Sequence, residues 1–177
     1  MNHTEEVKNK LRRIRLLVLD VDGVMTDGSI FFGANEEIKV FNVHDGAGIK
    51  YLMRSDIRVA LLSGRSSNAV SERARELGIK DCLQGCKKKL PFYQSLIKRL
   101  EVEENAVACM GDDLPDIPLF NHCGLKIAPK NAAPEIITRA DIITNNPGGR
   151  GAVREVAETI LKAQDKWQHI VESYLVQ

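Results

Sequence analysis

Short runs of consecutive apolar residues alternate along this chain with longer stretches in which apolar residues recur every three or four positions. The continuous runs are typical of strands buried on both faces, and they predict strands at 16–19, 58–62, 106–110, 123–128 and 141–143. The periodic stretches predict helices near 46–54, 66–77, 88–100 and 151–169. Because strands and helices alternate, we predict an α/β fold of three layers with a doubly wound, Rossmann-like parallel sheet.

One segment departs from this alternation. Residues 29–42 contain two strand-like pieces around a Gly-Ala-Asn-Glu turn, which predicts a projecting β-hairpin at about 28–42. Only 42 residues separate Asp20 from Ser63, and 25 separate Ser63 from Lys89. Predicted core elements fill most of both intervals. We therefore expect no cap domain.

Length and composition favour a compact enzyme. The 177 residues suit one domain, 1–177, with a C-terminal tail at about 146–177, and 44% hydrophobic with 28% charged residues is ordinary for a globular protein. A net charge of +1 gives no basic field for nucleic acid. The amino terminus is polar, and no apolar run approaches the roughly 20 residues that span a bilayer. We therefore predict a cytoplasmic protein with no membrane partner.

The four cysteines favour reduced thiols. Cys82, Cys86, Cys109 and Cys123 show no Cys-x-x-Cys spacing. Cys109 lies inside a predicted buried strand, where a thiol packs as a small apolar side chain. Zinc ligation and disulfides are therefore the less favoured interpretations.

Two acidic clusters follow predicted strands. Asp20 and Asp22 come directly after the run 16–19, and the cluster 111–116 follows the run 106–110. Because parallel strands place chemistry beyond their carboxyl ends, both clusters should meet at one edge of the sheet. A carboxylate about 4 Å from a phosphate charge is repelled by roughly 4 kcal/mol at an effective dielectric of 20. The pattern therefore predicts metal-assisted phosphoryl transfer with Mg²⁺.

Two further candidates lie between these clusters. The predicted strand 58–62 is followed directly by Ser63, Gly64 and Arg65. These residues offer a phosphate a hydroxyl, a backbone that can approach closely and a guanidinium. Ser63 is alternatively a cap for the helix 66–77, a role compatible with phosphate binding. Lys89 opens the next helical pattern and would supply a fixed positive charge, although its neighbours Lys87 and Lys88 compete for that role.

In the order Asp-x-Asp, Ser, Lys and Gly-Asp-Asp, these elements resemble the four motifs of the haloacid-dehalogenase-like phosphohydrolases, in their capless subclass. A lone Asp-x-Asp is usually a turn, but the ordered set favours the catalytic interpretation. The resemblance implies that Asp20 is the nucleophile and forms an aspartyl-phosphate. It implies that Asp22 is the general acid and base.

The same resemblance assigns the remaining central residues. Ser63 would hydrogen-bond the transferring phosphoryl group, and Lys89 would neutralise that group and orient Asp20. The metal ligands would be the Asp20 carboxylate, the Asp22 backbone carbonyl and Asp112. Asp113 and Asp116 would act on the metal indirectly.

A narrower resemblance concerns the substrate. Residues 20–28, 41–46, 63–65 and 148–155 are similar to phosphatases of this family that act on eight-carbon sugar acids. This implies 3-deoxy-D-manno-octulosonate 8-phosphate as substrate, in lipopolysaccharide sugar biosynthesis. The alternatives are a nonulosonate 9-phosphate and a non-catalytic oligomeric binding module. A module of the latter kind would not need a crowded acidic pocket that costs stability without metal.

A sugar-acid phosphate carries a carboxylate as well as a phosphate, so we expect additional cations and polar groups at its site. The candidate substrate-binding residues are Thr26, His44, Asp45, Gly64, Arg65, Arg73, Arg150 and Arg154. His44 stands where relatives often have arginine, which leaves its contact open. The turn 148–151 is either a mobile lid over the ligand or an ordinary glycine-rich start of a helix.

The predicted hairpin is unusually apolar. Its apolar residues include Ile30, Phe31, Phe32, Val40 and Phe41. A capless site is open to water, and another subunit would close it. The family resemblance implies a homotetramer in which the hairpins gather and neighbouring chains complete each site.

Overall fold

A computed structural model describes residues 4–34 and 37–175 and contains a six-stranded parallel sheet with helices on both faces. The sheet has the strand order β5-β4-β1-β6-β7-β8, which confirms the predicted doubly wound α/β architecture. The strands are β1 (Leu16–Leu19), β2 (Phe31–Phe32), β3 (Glu37–Ile38), β4 (Arg58–Leu62), β5 (Asp81–Leu83), β6 (Val107–Met110), β7 (Leu125–Ala128) and β8 (Ile142–Ile143).

Two layers of helices cover the sheet. The helices are α1 (Glu5–Arg13), α2 (Val43–Arg54), α3 (Asn68–Leu77), α4 (Lys89–Leu100), α5 (Ile117–Phe120), α6 (Pro134–Ile137), α7 (Ala152–Ala163) and α8 (Trp167–Ser173). Alternate side chains of the central strand β1 point to opposite faces of the sheet. Leu17 and Leu19 pack with α1, α2, α3 and α7, whereas Leu16 and Val18 pack with α4, α5 and α6. Every helix in the described part of the chain is too short to cross a bilayer.

Strand β1 lies at the centre of the sheet and therefore brings its neighbours to the site. Leu19 is level with Leu61 of β4 and with Met110 of β6. The residues that follow these strands consequently emerge at one edge. This register is what places the two predicted acidic clusters side by side.

The hairpin is antiparallel and shorter than predicted. Phe31 pairs with Ile38 and Phe32 with Glu37, and the predicted turn residues Asn35 and Glu36 lie outside the described residues. Between Asp20 and Ser63 the described chain forms this hairpin, α2 and β4, so the expectation of a capless fold is confirmed.

Several boundaries differ from the sequence predictions. Helix α1 and strand β5 were not predicted; α1 is short, and its N-cap Thr4 accepts a hydrogen bond from the Val7 amide. The prediction of one terminal helix over 151–169 is wrong, because the helix is interrupted between α7 and α8. Asp165 takes a left-handed conformation there, and Gln164 donates its side-chain amide to the carbonyls of Leu11 and Ile14. The predicted C-terminal tail contains α7, whose apolar face is buried in the core.

Candidate active site

The loop after β1 carries the first carboxylates. The Asp20 amide donates to the Met110 carbonyl at 3.0 Å, so the strand pairing with β6 continues through this residue. The chain then turns through Gly23, whose φ of +87° suits glycine. Thr26 is buried, and its hydroxyl accepts from the amides of Gly23 and Gly28. The loop is therefore held in one shape by the Thr26 hydroxyl and by amides that donate to the Val21 carbonyl.

Lys89 joins this loop to the second acidic cluster. Its ammonium nitrogen lies 2.8 Å from Asp20 Oδ1 and 2.6 Å from Asp116 Oδ1. Lys89 is buried, whereas Lys87 and Lys88 are exposed. Of the three neighbouring lysines, the structure therefore brings Lys89 to the acidic cluster. It is the first residue of α4, and its side chain reaches the two carboxylates from there.

The loop after β6 has a compact geometry. Asp116 Oδ2 accepts from the amides of Asp112 and Asp113, and Asp116 is itself buried. A side chain at Gly111 would collide with Asp116, because its Cβ would lie 2.4 Å from the Asp116 Cβ. Asp113 is exposed and caps the following 3₁₀ turn. Asp116 thus organises the loop and pairs with Lys89, which agrees with an indirect role at a metal.

Asp112 faces the first loop at close range. A Cβ on Gly23 would lie 2.0 Å from Asp112 Oδ2, so this glycine lets the backbone pass directly beside the carboxylate. Asp20, Asp112 and Asp116 each bring a carboxylate oxygen within 4.8 Å of the others. Oxygen donors in such a cluster are the ligands that Mg²⁺ prefers. Both oxygens of Asp116 are already engaged, Oδ1 by Lys89 and Oδ2 by two backbone amides, whereas Asp20 contacts Lys89 through Oδ1. Asp20 and Asp112 are therefore the carboxylates that best fit a metal.

The clustering shifts the acidity of these groups. Burial, followed by the charge of Asp116, raises the pKa of Asp20 to about 6. Burial and the charge of Asp20 raise the pKa of Asp112 to about 8. Burial disfavours the Lys89 ammonium, but the charges of Asp20 and Asp116 outweigh it and raise the Lys89 pKa. The site therefore carries an excess of acidic groups that a divalent cation would relieve.

Ser63 lies at the neighbouring strand end. It follows β4 and is buried, and its amide donates to the Leu83 carbonyl while its carbonyl accepts from the Cys86 amide. The predicted cap bond to the following helix does not form: α3 begins after Ser67, and the Ser63 hydroxyl accepts from the Arg65 amide at 3.3 Å. A Cβ at Gly64 would meet the Cys86 carbonyl oxygen at 3.9 Å, an ordinary contact, so the surroundings of this residue are uncrowded.

Asp22 is held by Arg65 and by two hairpin residues, Lys39 and Glu37, that the sequence analysis missed. Lys39 donates a hydrogen bond to Asp22 Oδ1, and the Lys39 ammonium lies 2.6 Å from Glu37 Oε1. Arg65 bonds to Glu37, and its Nε lies 3.8 Å from Asp22 Oδ2. The alternation of charged Glu37 and Lys39 with apolar Ile38 was the available signal. A polar face on the second hairpin strand could have been predicted from it.

The predicted substrate arginines fall into two groups. Arg65 and Arg150 are exposed beside the first acidic loop, Arg65 near Asp22 and Arg150 with its Nη2 3.2 Å from Asp27 Oδ2. Arg73 and Arg154 are packed elsewhere. The Arg154 guanidinium lies 5.0 Å from the Tyr51 ring centroid and 5.2 Å from that of Trp167, and it donates to Glu158. Arg73 donates to the Asn42 carbonyl and to Glu76. The structure therefore brings two of the four guanidinium groups beside this loop.

Two other predicted substrate residues have structural contacts instead. Thr26 holds the first loop from inside, as described above. Asp45 is buried and accepts hydrogen bonds from the amides of Gly151 and Arg154, so it fixes the start of α7. His44 is exposed beside it in the first turn of α2.

The glycine-rich turn 148–151 packs directly on the first loop. The Gly149 amide donates to the Val24 carbonyl at 2.9 Å. A Cβ at Gly148 would lie 1.7 Å from the Gly23 carbonyl oxygen. In this structure the turn is the start of α7, and it supports the loop that carries Asp20 and Asp22.

Comparisons with known proteins define the class. A model of the haloacid dehalogenase-like hydrolase family matches residues 84–156, which include Lys89 and the acidic loop 111–116. A relative from Escherichia coli strain K12 is 47% identical over 162 residues, which cover 91% of this chain and 86% of that protein. This chain therefore belongs to the haloacid dehalogenase-like hydrolases, as the motif order predicted.

The relatives share a narrower name. The Escherichia coli protein is the 3-deoxy-D-manno-octulosonate 8-phosphate phosphatase KdsC. The crystal structure of the Yersinia pestis phosphatase of that name is 45% identical, has a TM-score of 0.91, and matches 93% of this chain and 89% of its own. The Moraxella catarrhalis phosphatase, in complex with magnesium ion, phosphate ion and KDO, is 40% identical with a TM-score of 0.94, covering 97% of this chain and 99% of its own.

Proposed function

We propose that this chain is a Mg²⁺-dependent phosphatase that hydrolyses 3-deoxy-D-manno-octulosonate 8-phosphate to the free sugar acid and phosphate. The observation that carries the proposal is the buried Lys89 ammonium between Asp20 and Asp116, with Asp112 beside them. Phosphoryl transfer needs positioning and charge stabilisation above all, and this cluster supplies both. The similarity to the phosphatases above supports this substrate, whose product enters lipopolysaccharide sugar biosynthesis.

In the first step, a carboxylate oxygen of Asp20 bonds to phosphorus while the bond from phosphorus to the sugar oxygen breaks. Asp22 gives its proton to the departing sugar oxygen. Ser63 and Lys89 bind the phosphoryl oxygens. The product of this step is an aspartyl-phosphate on Asp20 and the free sugar acid.

In the second step, the Asp22 carboxylate removes a proton from water, and the water oxygen attacks phosphorus. The bond from phosphorus to Asp20 breaks, which releases phosphate and restores the Asp20 carboxylate. Bound by Asp20, Asp112 and the Asp22 backbone carbonyl, Mg²⁺ would offset the negative charge of the carboxylates and the phosphate. Asp113 and Asp116 support these ligands indirectly.

We assign the substrate carboxylate to Arg65 and Arg150, because both are exposed next to the acidic loop. A guanidinium binds a carboxylate through two parallel hydrogen bonds. Gly64 gives the ligand backbone clearance, and His44 lies at the exposed start of α2.

We further propose that the chain folds as a single domain and assembles as a homotetramer through its hairpin. Phe31 and Phe32 are 51% and 81% exposed, and Ile38, Val40 and Val43 are at least half exposed beside them. An apolar patch of this kind typically marks a protein contact. We place the enzyme in the cytoplasm, since its substrate carries both a phosphate and a carboxylate and does not cross a bilayer unaided, and since its four cysteines carry free thiols.

The test is phosphate release from a panel of esters with and without Mg²⁺. We expect the highest kcat/KM for 3-deoxy-D-manno-octulosonate 8-phosphate and no turnover after chelation. A higher kcat/KM for a nonulosonate 9-phosphate would identify that ester as the substrate, and the proposed reaction would stay the same. If the folded protein released phosphate from none of these esters, the result would favour a non-catalytic module.

A further inference from the structure

The second strand of the hairpin, β3, and the two residues that follow it present two chemically different faces. Ile38 and Val40 point outwards and are 50% and 64% exposed. Glu37 and Lys39 alternate with them and point towards the active site, with only 1% of the Lys39 side chain exposed. Lysine is rarely buried to this degree without a specific partner. The inward face is therefore built around a fixed positive charge.

The partners of that charge are two carboxylates. Lys39 donates to Asp22 Oδ1 and contacts Glu37 Oε1 at 2.6 Å. Glu37 is in turn bonded by Arg65, whose Nε lies 3.8 Å from Asp22 Oδ2. Two acids and two bases thus form a closed network. Its four members come from the nucleophile loop, the hairpin and the loop after β4.

This network bears on the direction of the Asp22 carboxyl group. The backbone of Asp22 is set by the loop that Thr26 holds, but its side chain can still rotate about two bonds. The described side chains that contact the Asp22 carboxylate by charge are Lys39 and Arg65. Arg65 is 46% exposed and more distant, whereas Lys39 is buried and directly bonded. Lys39 is therefore the contact able to hold one rotamer.

We propose that Lys39, held in place by Glu37, is a positioning residue that orients the Asp22 carboxyl group for proton transfer. The proposal rests on the function proposed above, in which Asp22 is the general acid and base. Lys39 does not touch the substrate, since its side chain is covered. Its effect should therefore follow the need for proton transfer rather than the binding of the sugar.

The experiment separates these effects by leaving group. Lys39→Met keeps the length and the apolar stem while removing the charge. With the sugar-acid phosphate, whose alkoxide needs a proton, we expect the single-turnover rate of aspartyl-phosphate formation to fall about 10- to 100-fold with little change in KM. With 4-nitrophenyl phosphate, whose leaving group needs no proton, we expect a fall of less than about threefold. Lys80→Met, an exposed lysine before β5, should change neither rate.

Further variants keep the test decisive. Lys39→Arg should recover part of the lost rate, and Glu37→Gln should give a smaller loss with the same dependence on leaving group. Asp22→Asn combined with Lys39→Met should be no slower than Asp22→Asn alone, because both act through one carboxyl group. If Lys39→Met does not fold, as judged by circular dichroism, Lys39→Arg and Glu37→Gln decide the question.

Two results would overturn the proposal. One is an equal loss of rate for both esters, which would indicate a general structural role for Lys39. The other is an additive loss in the double variant. A wild-type chain that cleaves neither ester would instead refute the proposed function.

Discussion

The Lys89 ammonium lies 2.8 Å from Asp20 Oδ1 and thereby joins the first turn of α4 to the end of β1. Both groups are largely covered, and a second carboxylate, Asp116, binds the same nitrogen at 2.6 Å. A buried charge is tolerated when it is paired, and removal of one partner leaves the others uncompensated. This one contact therefore makes both the fold around the site and its chemistry sensitive to Lys89.

Lys89→Met should lower kcat by roughly 10²- to 10³-fold, because the transferring phosphoryl group loses a preorganised positive charge. It should also raise the pKa of Asp20, which loses its cation. Steady-state kinetics with the sugar-acid phosphate measures the first effect. Lys87→Met, at an exposed neighbouring lysine, is the matched control and should behave as wild type. Equal activity of both variants would show that the phosphate charge is neutralised by another residue.

Asp20→Asn should abolish turnover while leaving the fold and the oligomer intact, because the amide is isosteric but cannot form the acyl phosphate. We expect a loss of at least about 10³-fold, measured by phosphate release, and no phosphorylated protein by mass spectrometry after rapid quenching. Asp27→Asn, in the same loop but largely exposed, serves as the comparison. Preserved activity in Asp20→Asn would remove Asp20 as the nucleophile.

The raised pKa values of Asp20, about 6, and Asp112, about 8, predict how the metal-free protein responds to pH. These carboxyl groups keep protons in the folded state that the unfolded chain releases near about pH 4. Since the folded state binds more protons than the unfolded state, this cluster makes stability fall as pH rises from about 4 to about 8. Thermal denaturation across this range, with Asp112→Asn for comparison, measures the effect.

Mg²⁺ binding should be linked to the same protons. The cation displaces them, so its affinity should rise between about pH 6 and 8, roughly tenfold per pH unit for each proton released, and level off above that range. Calorimetry in buffers of different ionisation enthalpy counts the protons. An affinity that stays constant from pH 6 to 8 would contradict the assignment of Asp112 as a ligand.

Phe32→Asp should dissociate the proposed homotetramer, because it places a charge in the exposed apolar patch on the hairpin. We expect the mass in solution to fall to that of a smaller species, with weaker substrate binding, by light scattering and by KM. Phe92→Asp is a suitable control, since Phe92 is 44% exposed on α4, away from the hairpin. An unchanged mass in Phe32→Asp would refute the hairpin contact.

Asp45→Ala should destabilise the protein by about 1–2 kcal/mol, because its buried carboxylate accepts from two amides at the start of α7. Urea unfolding measures the change in free energy. Asp45→Asn, which keeps an acceptor oxygen, should lose less. If Asp45 bound the sugar instead, KM would rise in both variants while stability would change little.

The sequence alone determined the order of the catalytic elements and the class of fold. Continuous apolar runs identified β1, β4 and β6, since strands buried on both faces leave no polar alternation. Their carboxyl ends carry Asp20, Ser63 and the 111–116 loop, and the topology of parallel sheets brings such ends together. Local signals were weaker at the edges: β5 has three half-buried residues, and the break after α7 depends on contacts from Gln164 to a distant helix.

Tertiary structure decided which side chains face the site and which support it. Three consecutive lysines are equivalent in sequence, and only the direction of the first turn of α4 buries Lys89 among the carboxylates. Lys39 meets Asp22 because the hairpin folds back over the loop, and Thr26 and Asp45 turn inwards and accept hydrogen bonds from backbone amides. The order and periodicity of residues predict which strand each candidate side chain follows. The partner of a charged side chain depends on distances between segments far apart along the chain, and these exist only once the core has packed.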